Sequence, residues 1–330
     1  MTDLRVGLIG LGAMGRNHAR ILTELPGINF IGITDPIHIQ DIQPQFSSIK
    51  VYKDLKELLS QSLDYCVIAA PTGSHKDLAI QALLEGVHCL IEKPVAIDYK
   101  ESLQIQVVSE RKSLIVGVGH IERYNAAIRE LKTRLLKGEL GEIYQISTRR
   151  QGPFPTRIAD VGVIKDLATH DIDLITWLTG SKFQTVSAQT ANRSGRIHED
   201  LVSVTGLLTN NVVVNILVNW LSPLKERSLI VTGEKGAFAV DMLNSDLVFY
   251  ENGSHTVSQE TFLHFRGATQ GNVTSFAFMK PEPLLVEHLN FRDAVLDKTS
   301  EIVSLQEGIE TVRVADAVIQ SSKLKECITL

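Results

Sequence analysis

Cysteine is scarce in this chain, and its spacing excludes the usual cysteine-based sites. The three cysteines, Cys66, Cys89 and Cys327, lie far apart. No C-x-x-C pair or Cys/His spacing indicates a metal centre. We therefore expect no metal site, and a reducing compartment, the cytoplasm.

Long apolar runs and basic runs are also missing. No segment approaches the roughly 18 uninterrupted apolar residues that a membrane-spanning helix needs, and four glycines interrupt the apolar stretch near the N-terminus, unlike a signal peptide. The net charge is −5, with no long Lys/Arg run. We expect neither a membrane nor a nucleic-acid partner. The length of 330 residues indicates about two domains.

The first apolar run ends in a glycine-rich turn. Val6 to Ile9 are followed at once by Gly10-x-Gly12-x-x-Gly15 and then by a segment of helical character. In a dinucleotide fingerprint the first glycine makes the turn, the second lets the backbone approach a pyrophosphate, and the third lets helix and strand pack closely. The phosphates then face the helix N-terminus. The alternative is a tight strand-to-helix turn without a ligand.

A second predicted strand completes the fingerprint. It ends in Asp35, twenty residues after Gly15, where a carboxylate can bind the ribose 2′-hydroxyl. This carboxylate would repel a 2′-phosphate, and Pro36-Ile37-His38 offer no Arg or Lys to hold one. The sequence therefore predicts NAD rather than NADP as the cofactor. The expected cofactor-binding residues here are Gly10, Leu11, Gly12, Ala13, Met14, Gly15 and Asp35.

Strands and helices alternate up to about residue 120, which predicts a doubly wound parallel sheet. Strand 65–70 ends in a Pro-Thr-Gly-Ser-His segment, and strand 88–91 ends in Glu-Lys-Pro. Loops after strand ends border the ligand crevice of such a sheet. We therefore expect five more residues beside the cofactor: Pro71, Thr72, His75, Glu92 and Lys93. By themselves, His75 is equally consistent with a structural role and Lys93 with a surface charge.

Beyond residue 122 the pattern changes to short consecutive strands, which predicts a mainly antiparallel sheet. The predicted strands cover 143–150, 185–190, 202–208, 212–221, 228–232 and 237–242, and helices follow over 284–297 and 304–325. We therefore expect an α/β Rossmann domain over residues 1–122. An α+β domain with an open, mainly antiparallel sheet is expected over residues 123–330, for substrate binding and oligomerisation.

A helix predicted over 165–178 carries an acid and an imidazole on one face. Asp166 and His170 are four residues apart, and Asp173 lies one turn further. An imidazole beside a carboxylate can take the proton of a hydroxyl while the carboxylate orients it. The residues alone slightly favour the alternative, in which Asp166 caps the helix and His170 pairs with Asp173.

Together these motifs resemble the Gfo/Idh/MocA oxidoreductase family over nearly the whole chain. The resemblance rests on the glycine fingerprint, Ala70-Pro71-Thr72 with His75, Glu92-Lys93-Pro94, the segment 138–143, and Asp166-x-x-x-His170 with Asp173. It implies an N-terminal Rossmann domain and a C-terminal open sheet that often supports a homodimer or homotetramer. It also implies metal-free oxidation, with NAD, of a secondary alcohol of a sugar or cyclitol, or the reverse reaction.

The resemblance implies roles for single residues. Lys93 resembles the family lysine near the nicotinamide and the reacting hydroxyl. His170 resembles the acid/base, and Asp166 resembles the neighbour that contacts the substrate and tunes that histidine. These three are the expected catalytic residues, with Lys93 as proton acceptor left open as an alternative.

Two further segments, 119–125 and 152–163, resemble the UDP-N-acetylglucosamine 3-dehydrogenase branch. That branch implies a 3-keto nucleotide sugar, which a pathway aminotransferase aminates for 3-amino lipid A. A diphosphate needs cations, for which guanidinium groups are well suited. The expected substrate-binding residues are Arg123, Tyr124, Arg157, Asp166 and His170. Other candidate cations are Arg149, Arg150 and Lys165; the two adjacent arginines should point to opposite faces of their strand.

Two other interpretations stay open from the sequence. One is an inositol or free-sugar dehydrogenase of the same fold. The other is a non-catalytic NAD-binding regulator.

Overall fold

The computed structural model of the protein describes residues 3–37, 49–155, 161–253 and 270–330. Its eight α-helices within these residues are α1 (Ala13–Glu24), α2 (Leu55–Leu59), α3 (His75–Leu84), α4 (Tyr99–Lys112), α5 (Ala126–Leu136), α6 (Thr169–Thr179), α7 (Pro283–Val295) and α8 (Leu305–Leu324). The chain forms two compact units that are interleaved in sequence. The first contains residues 1–121, 155–173 and 282–316, and the second contains 122–154, 174–281 and 317–330.

The first unit is built on a five-stranded parallel sheet in the order β2-β1-β3-β4-β5. Its strands are β1 (Leu4–Ile9), β2 (Ile28–Thr34), β3 (Tyr65–Ile68), β4 (His88–Glu92) and β5 (Val116–Gly119). All four residues of β3 are buried, as expected for a strand covered on both faces. One core cluster includes Leu22 of α1 and Phe291 of α7. Another includes Ala79 of α3 and Ile309 of α8. These clusters confirm the doubly wound α/β fold.

The second unit is built on a nine-stranded sheet in the order β13-β12-β11-β10-β6-β9-β8-β7-β14. Its strands are β6 (Ile143–Pro153), β7 (Phe183–Ala191), β8 (Leu201–Leu208), β9 (Val213–Asn219), β10 (Leu221–Gly233), β11 (Gly236–Asp241), β12 (Asp246–Asn252), β13 (Gln270–Ser275) and β14 (Ile328–Thr329). Only the β6/β9 pair is parallel among these strands. The prediction of an open, mainly antiparallel sheet is confirmed.

One face of this sheet is buried and the other is open within a single chain. Ile146, Thr148 and Arg150 are buried, whereas their neighbour Arg149 is exposed. The two arginines therefore point to opposite faces, as the period of a strand requires. The open face carries four exposed apolar side chains that the strand register aligns: Val213, Ile230, Tyr250 and Val273.

Several element bounds differ from the sequence prediction. The strand predicted over 212–221 is too long, because β9 ends at Asn219, whose side chain accepts hydrogen bonds from the backbone of Leu221 and Ser222. An Asn that bonds the backbone two residues ahead favours a turn. Strands β12, β13 and β14 are additional to the predicted ones.

Asn125 is the N-cap of α5, since its side chain accepts a hydrogen bond from the backbone N–H of Ala127. The regular helix predicted over 165–178 is wrong at its start. Residues Ile164–Ala168 form a π-helical turn, and α6 follows from Thr169.

Among the residues described, no helix is both long enough and apolar enough to cross a membrane.

Candidate active site

The glycine-rich turn after β1 leaves its middle glycine open and packs its outer two tightly. Gly10 has a φ of +97°, and a Cβ there would lie 2.5 Å from the carbonyl oxygen of Ala69. A Cβ on Gly15 would lie 2.1 Å from the carbonyl oxygen of Gly10, whereas nothing lies within 4 Å of one on Gly12. The fold thus requires glycine at positions 10 and 15, whereas the absence of a side chain at Gly12 leaves room for a ligand.

Helix α1 begins directly after Gly12, and no side-chain cap occupies its first N–H groups in the described structure. Gly12, as N-cap, makes no side-chain capping bond, and the first turn holds no acidic residue. Such N–H groups and the helix dipole suit an anion such as a pyrophosphate. Ala13 is exposed and Met14 half-buried, so both lie at the surface of this turn.

Asp35 joins the end of β2 to the same turn. Its Oδ2 accepts a hydrogen bond of 2.6 Å from the backbone N–H of Leu11, and its Oδ1 accepts one of 2.7 Å from that of Ile37. The Leu11 side chain is buried in the core, so this residue offers only its backbone to a ligand. The acid thus lies beside the glycine-rich turn, as ribose binding requires. These residues fit NAD.

His75 ties two strand-end loops together. Its ring is buried, with Nδ1 2.9 Å from the carbonyl oxygen of Pro94 and Nε2 2.8 Å from that of Ala70. Just before it, Pro71 is exposed and Thr72 buried. This geometry favours the structural interpretation of His75, and direct contacts of His75, Pro71 and Thr72 with the cofactor stay predictions.

Lys93 follows β4, and its side chain reaches Asp166. The Lys93 Nζ donates to Asp166 Oδ1 at 3.0 Å and to the Asp166 carbonyl oxygen at 2.7 Å. Both side chains are largely buried, with 14% and 8% of their surface exposed. The first unit therefore brings together two of the three predicted catalytic residues, which are 73 positions apart in sequence.

His170 lies just beyond the π-helical turn that contains Asp166. It is the second residue of α6 and is half-buried. Its ring centroid lies 6.4 Å from that of His120, which follows β5, and His120 Nδ1 lies 3.9 Å from Asp173 Oδ2. Wide turns of this kind often occur at functional sites. Sequence reasoning missed His120, although it follows a strand end of the parallel sheet.

The predicted cations have diverse surroundings. In the second unit Arg123 is buried 5.6 Å over the ring of Trp177, and Tyr124 is buried beside it in the chain. Arg150 is paired with Glu122 at 2.7 Å. In the first unit Lys165 forms a close ion pair with Asp316. Arg157 lies outside the described residues, and the roles of Arg123, Tyr124 and Arg157 towards a substrate stay predictions.

Glu92 has partners that sequence reasoning missed. Its Oε1 lies 2.9 Å from His18 Nε2, and His18 Nδ1 lies 2.8 Å from His288 Nε2. Burial by itself would raise the pKa of Glu92, but the hydrogen bond and charge of His18, with the charge of Lys93, lower it below its usual value. Glu92 is therefore a carboxylate. Its partner His18 lies three residues after Gly15, on the buried side of α1. This spacing from the glycine-rich turn was the available sequence signal that His18 faces the parallel sheet.

Comparison with known proteins gives matches to both parts of the chain. Residues 4–120 match the profile described as an oxidoreductase family with an NAD-binding Rossmann fold, and residues 128–239 match a GFO/IDH/MocA C-terminal domain. A UDP-N-acetylglucosamine 3-dehydrogenase of Acidithiobacillus ferrooxidans is 28% identical over 78% of this chain and 80% of its own length. Inositol 2-dehydrogenase 4 of Saccharopolyspora erythraea is 31% identical over 66% of this chain and 68% of its own length.

A solved structure extends the similarity to the whole fold. The crystal form P21 of UDP-N-acetylglucosamine 3-dehydrogenase from Acidithiobacillus ferrooxidans matches with a TM-score of 0.85 and 25% identity, over 98% of this chain and 99% of that chain. Strand order, glycine-rich turn and strand-end lysine thus occur in a chain whose relatives are dehydrogenases of sugars and polyols.

Proposed function

Since this chain belongs to the Gfo/Idh/MocA oxidoreductase family and is an NAD-dependent dehydrogenase of CH–OH groups, we propose that it oxidises the C3 hydroxyl of UDP-N-acetylglucosamine. The product is the 3-keto nucleotide sugar. The observation that carries the reaction type is the contact of Lys93 with Asp166 at the carboxyl edge of the parallel sheet.

Lys93 acts as the hydrogen-bond donor to the reacting oxygen. Asp166 holds the ammonium by two bonds, to its carbonyl and to its carboxylate. An ammonium fixed in advance stabilises the negative charge that develops on the substrate oxygen as its O–H bond breaks. Because the contact is largely buried, water screens this interaction little.

His170 takes the proton from the C3 hydroxyl. It follows Asp166 by four residues and is half-buried. When bound, NAD supplies the acceptor for the hydride that leaves C3. The C3–H and O–H bonds break, the C3–O double bond forms, and the proton stays on His170. In the alternative, Lys93 begins as a neutral amine and takes the hydroxyl proton itself, while the same C3–H and O–H bonds break and the same C3–O double bond forms.

The substrate is the part of the proposal that rests on relatives. The Acidithiobacillus ferrooxidans relative named above supports a nucleotide sugar. The identity of 31% to an inositol 2-dehydrogenase favours a second candidate, a cyclitol or free sugar. The two candidates differ in whether turnover requires the uridine diphosphate.

We further propose cytoplasmic partners that match this substrate. A pathway aminotransferase would consume the 3-keto sugar for 3-amino lipid A. A second copy of the chain would cover the open sheet face, where Val213, Ile230, Tyr250 and Val273 expose 40–50% of their surface. Aligned apolar residues on one exposed face are typical of an interface.

The test is NADH formation at 340 nm with purified protein, NAD and UDP-N-acetylglucosamine. An aminotransferase with glutamate removes the ketone, because oxidation of a secondary alcohol by NAD is unfavourable at neutral pH. We expect turnover that is lost with N-acetylglucosamine alone. Turnover with inositols or free sugars instead would favour the second candidate. Tight NAD binding without turnover on either class would favour a non-catalytic regulator.

A further inference from the structure

Four buried polar side chains lie between α1, β4 and α7. They are His18 of α1, Glu92 at the end of β4, and Glu287 and His288 of α7, each at most 7% exposed. We call them the α1–α7 cluster. Lys93, Asp166 and His170 lie outside it, yet Glu92 is the direct chain neighbour of Lys93.

A continuous line of contacts leads from α1 to the lysine. His18 Nε2 donates to Glu92 Oε1 at 2.9 Å, because a carboxylate can only accept. The other oxygen of that carboxylate, Oε2, accepts the backbone N–H of Lys93 at 3.1 Å. The Lys93 side chain then bonds Asp166. One carboxylate therefore joins the ring of His18 to the backbone that carries Lys93.

The Glu92 side chain is confined to its position by the residues that pack around it. A Cβ on Gly119, its partner in the β4/β5 register, would lie 3.3 Å from both Glu92 Cδ and Glu92 Oε2. Gly119 thus provides the space that the carboxylate occupies. On the other side, His18 is itself held by His288, at 2.8 Å.

We propose that His18 is a positioning residue for the reaction: through Glu92 it fixes the backbone of Lys93, and with it the place of the ammonium beside Asp166. This inference rests on the proposed role of Lys93. His18 belongs to the helix whose N-terminus faces the expected pyrophosphate, so one helix serves both the cofactor and the lysine.

Two substitutions at position 18 separate its two contacts. In His18→Gln the side-chain amide reaches the place of Nε2 and can donate to Glu92. In His18→Asn the shorter amide reaches only the place of Nδ1, on the side of His288. We expect His18→Asn to lower kcat by about 10–100-fold, the cost of a displacement approaching 1 Å. We expect His18→Gln to restore most of kcat, with the Kd for NAD unchanged in both variants.

A matched control is His88→Gln, at the other end of β4. The His88 ring accepts a hydrogen bond from the backbone of Ile115 and has no contact with the reacting groups in the described structure. Its replacement removes a partly buried histidine without touching the line from His18 to Lys93. We expect an unchanged kcat.

A chemical readout makes the test independent of turnover. Acylation of Lys93 by acetic anhydride, followed by peptide mass spectrometry, reports how firmly the ammonium is held, with the surface Lys112 as internal standard. We expect faster acylation of Lys93 in His18→Asn but not in His18→Gln. This result would support the positioning role even if the proposed substrate failed.

Glu92→Gln tests the same line if His18→Asn does not fold. A glutamine side chain has one acceptor oxygen and no charge, so it cannot accept hydrogen bonds from both the His18 ring and the Lys93 backbone as the carboxylate does. We therefore again expect lower kcat and faster acylation of Lys93. Wild-type kcat and acylation in whichever of these variants folds would overturn the inference. Equal loss of kcat in His18→Asn and His18→Gln with unchanged acylation would also overturn it.

Discussion

Glu287→Gln should make the protein more stable relative to wild type as the pH rises. Glu287 is 1% exposed, and neither carboxylate oxygen has a hydrogen-bond partner among the described residues. Burial, followed by the negative charge of Glu92, raises the pKa of Glu287 well above its usual value. The folded protein therefore holds a proton on this side chain that the unfolded chain has released above about pH 4.3.

The sign and size of the effect follow from proton linkage. Below about pH 4.3 Glu287 is protonated in both states, so its ionisation does not lower the free energy of unfolding. Because its pKa is raised in the folded state, the free energy of unfolding falls as the pH rises from there towards the folded pKa. One proton gives a slope of about 1.4 kcal/mol per pH unit. For a unit of about 150–250 residues this corresponds to roughly 3–6 °C in Tm per pH unit. Glutamine does not titrate, so the variant lacks this slope.

The assay is thermal unfolding of both proteins from pH 5 to pH 8. We expect the Tm of Glu287→Gln minus that of wild type to increase as the pH rises from 5, until the pH reaches the raised pKa of Glu287 in the folded protein. Burial and the neighbouring His18 lower the pKa of His288 well below its usual value, which gives wild type an opposite slope on acidification. That slope is common to both proteins and cancels in the difference. Any constant offset from burying an amide does not affect the result.

Glu85→Gln is the matched control, since Glu85 is exposed at the end of α3. Its Tm difference from wild type should stay flat over the same range. A flat difference for Glu287→Gln as well would refute the reasoning, because it would mean that Glu287 has the same charge when folded and unfolded.

Three further predictions concern the cofactor, the lysine and self-association. Asp35→Asn should weaken NAD binding by about 10–100-fold in calorimetry, the range for a charge-assisted hydrogen bond; an unchanged Kd would contradict ribose binding. Lys93→Met should lower kcat by about 10²–10³-fold with little change in the Kd for NAD, while Lys112→Met changes neither; near-normal turnover of Lys93→Met would exclude the proposed donor. Ile230→Glu should reduce the mass in light scattering to that of a monomer, and an unaltered mass would exclude the open sheet face as the interface.

Local patterns predicted the parts of the fold that depend on neighbouring residues. The turn from β1 to α1 needs glycines at Gly10 and Gly15 because of contacts a few residues away or with the adjacent strand. The N-cap at Asn125 is likewise a contact over two residues. The position of Asp35 follows from the length of one strand–helix–strand unit, so its proximity to Leu11 was predictable.

Other features depend on contacts that leave no periodic signal. The π-helical turn at Ile164–Ala168 has the same residue types as a regular helix, so periodicity predicts the latter. His18 and His288 are 270 positions apart, and their pairing depends on how α7 returns to α1. The return of segments 155–173 and 282–316 to the first unit has no local marker either. Strand β13 is rich in polar residues, which weakens its pattern.

Gly119 and Glu92 cannot be varied independently in redesign. Any side chain at position 119 would compete for the volume that the Glu92 carboxylate fills. A library that diversifies the strand ends one position at a time would therefore discard most variants at 119, whatever their value for a new substrate. A library for this edge of the sheet should therefore substitute both positions together, with a shorter residue at 92 and a larger one at 119.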